Sequence, residues 1–267
     1  VKEVSVPYII RNIDNKEFEG QVAVVTGGSG VIGRSISIFL ASKGCKVYVV
    51  GTNNNNIKKV VDEIKGLGLS AESLNVNLLS SESIEDAFQK VVSESGSLDI
   101  LVNSAGGGAR DNATSLDQQK IEVIDKVLNL NLRGIILTVR EAVKIMKPKN
   151  RGNIVVLSST VGVRGLKYYS EYAAAKGGII SFVASMAMEL GEHGIRINCV
   201  TPGIVQRGEL SEDREEALKA TNWLQSYGIP EDIASMVCYL NTAEARFITG
   251  QNFIIDGGRS LGLKNSK

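Results

Sequence analysis

The chain has 267 residues, 43% of them hydrophobic and 22% charged, and a formal net charge of +1. That length supports a full core in one α/β unit, and the composition is that of an ordinary soluble globule. A near-neutral balance without clustered Lys/Arg excludes a nucleic-acid or anionic-membrane surface, and the longest apolar window, Gly177 to Met188, falls short of the roughly 20 residues of a membrane span.

Residues 1–18 read as a polar arm in which Lys2, Glu3 and Arg11 surround Pro7-Tyr8-Ile9-Ile10. That run is too short for the apolar segment of a signal peptide. Residues 19–267 are expected to form a single domain. Strand-like runs then alternate with helical periods: Val22–Thr26 and Ile32–Lys43, Lys46–Val50 and Ile57–Lys65, Ser73–Val76 and Ser83–Ser93. The series continues with Leu98–Val102, a helical stretch through Ile121–Met146, Asn153–Leu157, Tyr172–Leu190, Ile195–Val200, a helix near Glu231–Leu240, and Phe253–Ile255. This alternation predicts an α/β fold, a doubly wound parallel sheet of about seven strands with helices on both faces. The uninterrupted apolar strands suit a sheet buried on both sides. Asn53-Asn54-Asn55-Asn56 reads as a polar turn and helix start. Gln206–Tyr227 is a charged helical insertion, expected as a lid over about 206–228. Cys45, Cys199 and Cys238 have neither metal-ligand spacing nor an even count, and are read as buried thiols of a cytoplasmic protein.

Two segments carry chemistry. Thr26-Gly27-Gly28-Ser29-Gly30-Val31-Ile32-Gly33 follows the first strand and opens the first helix, where glycines let pyrophosphate approach the free N–H groups of a helix N-terminus. The second strand ends Gly51-Thr52-Asn53 without the carboxylate that would hold a ribose 2′-hydroxyl, while Thr52, Asn53, Asn54, Lys58 and Arg34 offer donors. NADP(H) is favoured on that ground, with NAD(H) open. In Tyr172-Ala173-Ala174-Ala175-Lys176, the i, i+4 spacing lays an ammonium beside a phenol and can make an acid of the tyrosine. Tyr168 and Tyr169 lack a lysine at that offset. Ser159, at the end of the run through Leu157, is placed to share a cleft with that helix, although it could equally cap a turn. His193, the lone histidine, reads as a helix-end surface residue.

Together with Asn103-Ser104-Ala105-Gly106, Asn131-Leu132-Arg133-Gly134, Pro202-Gly203, Pro230-Glu231-Asp232-Ile233-Ala234, Ile248-Thr249-Gly250-Gln251 and Asp256-Gly257-Gly258, these segments resemble the short-chain dehydrogenase/reductase family in its compact form, from about Gly20 to Gly258. The resemblance implies that Tyr172 exchanges a proton with the substrate oxygen and Ser159 hydrogen-bonds that oxygen. It implies that Lys176 holds the nicotinamide ribose and lowers the Tyr172 pKa, while Asn131 keeps a water that links Lys176 to solvent. It further implies cofactor contacts at Gly27, Ser29, Gly30, Val31, Ile32, Gly33, Thr52, Asn53, Asn77, Leu78, Asn103, Ala105, Gly106, Tyr172, Lys176, Pro202, Gly203 and Ile204. No metal is expected.

Departures from the family pattern fall at Val31 for glycine, Asn77 for aspartate, Ser104 for asparagine and Arg207 for threonine. They bear on cofactor binding and leave the catalytic set intact. The reaction expected is hydride transfer between NADP(H) or NAD(H) and a secondary alcohol or ketone. The acidic run Glu209–Glu216 disfavours an acidic carrier protein and favours a sugar, sugar acid or polyol, with 3-oxoacyl thioester reduction as the alternative. A non-catalytic NADP(H)-sensing protein is the alternative of another class. The resemblance also implies a homotetramer or homodimer built from helices around Val127–Ala142 and Tyr172–Leu190.

Overall fold

A computed structural model describes residues 16–107 and 113–262. The strands are β1 (Val22–Thr26), β2 (Lys46–Gly51), β3 (Ala71–Asn75), β4 (Ile100–Asn103), β5 (Gly152–Leu157), β6 (Ile195–Pro202) and β7 (Asn252–Ile255). They form one parallel sheet of seven strands in the order β3-β2-β1-β4-β5-β6-β7. The chain runs outward from β1 to β3, then crosses back and runs the other way from β4. The loops after β1 and β4 therefore diverge, leaving a crevice at the strands' carboxyl ends where a doubly wound sheet binds its ligand. The register places Thr26 opposite both Val50 and Asn103, so the segments leaving β1, β2 and β4 start level with one another.

Alternate strand residues feed two separate cores. Val22 and Val24 join one with Ile84, Val91, Ile135 and Ile179, from α3 (Ser81–Ser95), α5 (Gly134–Met146) and α7 (Ser170–Leu190). Ala23 and Val25 join the other with Ile36, Ile57, Ile64 and Ile233, from α1 (Val31–Ser42), α2 (Asn54–Gly66) and α9 (Pro230–Asn241). Burial on both faces is the reason the strands read as continuous apolar runs. α4 (Ile121–Leu128), the short α6 (Thr160–Arg164) and α8 (Glu212–Lys219) complete the helices of the described residues.

Four details depart from the sequence reading. The stretch through Ile121–Met146 is not one regular helix, because a π turn spans Asn129–Arg133 between α4 and α5. β3 begins at Ala71 rather than Ser73 and carries polar Glu72 and Ser73, as an edge strand paired only with β2 tolerates. Within the segment expected as a helical lid, only Glu212–Lys219 is α-helix, and a bridge between Val205 and Gly228 closes its base. The helix that carries Tyr172 is apolar enough over Ser170–His193 to span a membrane by length and composition, more than the shorter window suggested. Ile179, Val183, Ala187 and Leu190 of this helix nonetheless pack into the core.

Residues 1–15 of the expected arm lie outside the described residues, but Phe18 belongs to the domain. It is 1% exposed, packs in the α1/α2/α9 core and donates its N–H to the Lys43 carbonyl at 2.8 Å. Truncating a buried phenylalanine costs about 3–5 kcal/mol, from lost apolar burial and the cavity left behind. Phe18→Ala is expected to lower unfolding free energy by about 3 kcal/mol, measured as a shift of the urea midpoint at unchanged m-value.

Candidate active site

The end of β5 is tied twice to one residue of α7. Lys176 Nζ donates to the Leu157 carbonyl at 2.9 Å, and Ser158 Oγ donates to the Lys176 carbonyl at 2.7 Å. This fixes the register between strand and helix, and so the separation of Ser159, the next residue of one, from Tyr172, one turn back on the other. A close approach of α6 to α7 completes the corner: a Cβ on Gly162 would lie 2.6 Å from the Lys176 carbonyl carbon, which only glycine avoids. Ser159 caps α6, its Oγ accepting from Val161 N at 3.3 Å, and the side chain is half-buried. The capping alternative is thus present, and it orients the hydroxyl rather than removing it, since its proton stays available. Lys176 Nζ lies 5.9 Å from the Tyr172 ring centroid, so the helical spacing does bring ammonium and phenol together. Tyr168 is instead half-exposed at φ +71° with Lys167 over its ring.

Asn131 enters from the π turn. Its Oδ1 accepts from Gly107 N at 2.8 Å, and its Nδ2 donates to Gly107 O at 3.0 Å and Val127 O at 2.9 Å. The last bond takes a carbonyl that residue 131's own N–H would use in an α-helix, a local cause for the shift to π geometry. A Cβ at Gly106 would stand 2.7 Å from Asn131 Oδ1 and 3.1 Å from Lys176 Nζ, which places both groups around the same short segment after β4.

Lys176 is 3% exposed, and burial pushes its pKa down to about 8. Cys199 lies close enough to be coupled to it, and burial pushes that thiol up to about 11, so it remains protonated. All three cysteines are buried and unbridged.

In the glycine turn the steric demand falls on Gly27 and Gly33 more than on Gly30. Gly27 has φ +64°, and a Cβ there would stand 2.7 Å from Ala105 Cα; a Cβ on Gly33 would collide with Gly27 O. Gly30 is extended, a conformation open to any residue, and no side chain caps α1. The first-turn N–H groups of α1 are therefore left for an anion. Val31, where the family pattern has glycine, begins the helix and is 42% exposed. Ser29 lies against Gly51, at the end of β2. Thr26, Asn103 and Thr138 form a buried knot behind Ala105: Thr26 Oγ1 donates to Asn103 Oδ1 at 3.1 Å and accepts from Ala105 N at 3.3 Å. The buried Asn103 Nδ2 has no partner among the described residues.

At the end of β2, Thr52 and Asn53 are exposed, and Asn53 Oδ1 caps α2 by accepting from Asn56 N at 3.1 Å. The two cations expected there already have partners, Arg34 with Glu63 and Lys58 with Asp62. Asn77 Oδ1 accepts from Leu79 N at 3.1 Å, leaving its amide donors outward beside the buried Leu78. Pro202 is buried, Gly203 half-buried and Ile204 exposed where β6 leads into the lid; Arg207 is exposed. The uncapped helix end, the cradle of Gly27 and Gly33, and the unused Asn103 donor fit a dinucleotide lying across this crevice. His193 sits on the turn after α7 beside Glu192, away from the cleft residues. Ser158, Gly107 and Gly162 were not singled out by sequence; only the doubled serine and the glycine three residues beyond it carry a trace of them.

Comparison with known proteins places the chain among named relatives. A family model described as enoyl-(acyl carrier protein) reductase matches residues 28–260. The 3-oxoacyl-(acyl-carrier-protein) reductase FabG of Escherichia coli K12 is 35% identical over 244 residues, covering 90% of this chain and 98% of that protein. The protein of the same name from Staphylococcus aureus Mu50 is 36% identical over 240 residues, covering 88% and 96%.

The depressed Lys176 pKa has a pH signature. Below about pH 8 the folded and unfolded states both carry the charge, and the folded state bears the burial penalty. Between about 8 and the ordinary 10.5 only the unfolded state holds the proton, so stability rises with pH through that window. Lys176→Met is expected to stabilise the cofactor-free protein at pH 7 by about 1–3 kcal/mol and to flatten the rise above pH 8, measured by urea unfolding at pH 7 and pH 10.

Proposed function

The chain belongs to the short-chain dehydrogenase/reductase family and is an NAD(P)(H)-dependent oxidoreductase acting on an alcohol or keto group; we propose that it reduces 3-oxoacyl thioesters with NADPH. The single observation that carries the substrate is the full-length similarity to two reductases named for that reaction. A cavity of about 450 Å³ beneath the lid has an apolar wall of Ile204, Val205, Leu218, Leu224 and Ile255 beside the polar Thr221, Asn222, Tyr227 and Arg259, and Ser159, Tyr172 and Lys176 are not among its lining residues. Its carboxylates are already engaged: Glu231 accepts from Ser35 Oγ, Asp232 from Ile229 N, and Asp256 from Gly258 N and Ser260 N. The names of the relatives, rather than this cavity, weigh against the sugar or polyol favoured from sequence. The acidic first turn of α8, with Glu212, Asp213 and Glu215, suits a low-molecular-weight thioester better than an acidic carrier.

NADP(H) is supported by the absence of a carboxylate at the end of β2, where Thr52 and the Asn53 amide face solvent. Gly27 to Gly33 would hold the pyrophosphate, Asn77 and Leu78 the adenine side, and Lys176 and Pro202–Ile204 the nicotinamide side. When bound, the cofactor supplies the hydride. Tyr172 gives its phenolic proton to the carbonyl oxygen as negative charge develops there, and Ser159 Oγ donates a second hydrogen bond to it. Lys176, held by the Leu157 carbonyl, keeps a cation beside the phenol and favours its ionised form. Asn131, locked to Gly107 and Val127, stands beside the same Gly106 segment as that ammonium.

Assembly into a homotetramer is part of the same reading. It is supported by apolar surface left open on α7 and at the β7 edge, where Met188 is 80%, Phe247 94% and Ile254 40% exposed. Sedimentation equilibrium at micromolar concentration is expected to give four chains per particle, and a monomer would contradict the assembly.

The catalytic reading is tested with acetoacetyl-coenzyme A and either cofactor. Wild type is expected to turn over the thioester with NADPH in preference to NADH. Tyr172→Phe is expected to lower kcat/KM by about 10³-fold while the NADPH Kd, from nucleotide fluorescence, stays within about threefold. An inert thioester alongside turnover of a sugar or polyol panel would overturn the substrate, and tighter binding of NADH would overturn the cofactor.

A further inference from the structure

One buried carboxylate at the cleft is not used by the chemistry above. Glu171, the residue before Tyr172, is only 6% exposed, and its described partners are neutral donors. Gln119 Nε2 donates to its Oε1 at 3.2 Å and Ser170 Oγ to its Oε2 at 3.3 Å. The Gln119 amide is itself oriented, since its oxygen accepts from Lys120 N at 3.1 Å and so turns the NH₂ group toward Glu171. Gln119 closes the connection from β4 to α4, and the start of that connection, Gly107, is bonded twice to Asn131. The connection is thus fastened at one end by Asn131 and at the other by the neighbour of Tyr172.

We propose that Glu171 is a positioning residue: through Gln119 it holds the 113–120 segment against the first turn of α7, and so sets the wall of the cleft on the Tyr172 side. Among the described residues no cation pairs with this carboxylate, and its burial cost is offset in part by the Gln119 bond, which crosses between two elements. The competing role is purely local, since an acid in a helix's first turn is favoured by the helix dipole whatever it touches. Glutamine separates the two, because it keeps the acceptor for Gln119 and loses the charge.

The experiment compares Glu171→Ala, Glu171→Gln, Gln119→Ala and the Glu171→Ala/Gln119→Ala pair. Hydrogen exchange over 113–120 is expected to quicken about tenfold in either alanine variant and to stay near wild type in Glu171→Gln. KM for acetoacetyl-coenzyme A is expected to rise about fivefold in the alanine variants, with kcat within about twofold and the pair no worse than either single change. Gln119 lies outside the helices, so its variant keeps the test open if Glu171→Ala does not fold. Unchanged exchange in both alanine variants, a Glu171→Gln variant as impaired as Glu171→Ala, or multiplying effects in the pair would each overturn the assignment. The KM arm rests on the proposed thioester reduction, whereas the exchange arm does not. A wild type inert on thioester therefore sinks that reading while exchange still decides Glu171.

Discussion

An ammonium group that is almost wholly removed from water must be given acceptors, and where they come from decides the geometry of this cleft. Lys176 takes the last carbonyl of β5, while the serine after that carbonyl returns a hydrogen bond to the Lys176 backbone. The pair of bonds acts like a stitch between strand and helix. Because Ser159 and Tyr172 hang one residue and one helical turn from the stitch, it sets their relation. The depressed lysine pKa is the other face of the same burial.

Asn131 shows how a side chain can deform its own element. Its amide takes the Val127 carbonyl from the backbone ladder, and the helix answers with a π turn that carries the side chain inward to Gly107. The periodicity of Ile121–Met146 looks helical on both sides of this point, and one displaced hydrogen bond leaves no imprint on an apolar pattern. Glu171 illustrates the complementary case. In sequence it is one more acid in the first turn of a helix, and only folding brings Gln119 to it across 52 positions.

The cofactor crevice divides in the same way. The glycine turn could be read from residues alone, yet which glycines matter depended on neighbours: Gly27 on Ala105, Gly33 on Gly27, and Gly30 only on a looser 3.2 Å approach to the Gly27 carbonyl. Beside the second strand, Arg34 and Lys58 looked like free donors, but α2 supplies Glu63 and Asp62 to meet them. Both are exposed ion pairs, weakly held, so they lessen rather than abolish what these cations could offer an anion.

Sequence by itself determined the parallel α/β sheet, because strands buried on both faces must be continuously apolar and the helices between them must be amphipathic. It also determined the Tyr172 and Lys176 pair, because helical spacing is local geometry. Tertiary structure alone decided how deeply Lys176 is buried, which donors and acceptors close around Asn131, Glu171 and Asn103, that Phe18 belongs to the core, and how little of the lid is helix. Each of these depends on contacts between segments far apart in the chain, where the energy resides in a pairing that neither partner's own sequence records.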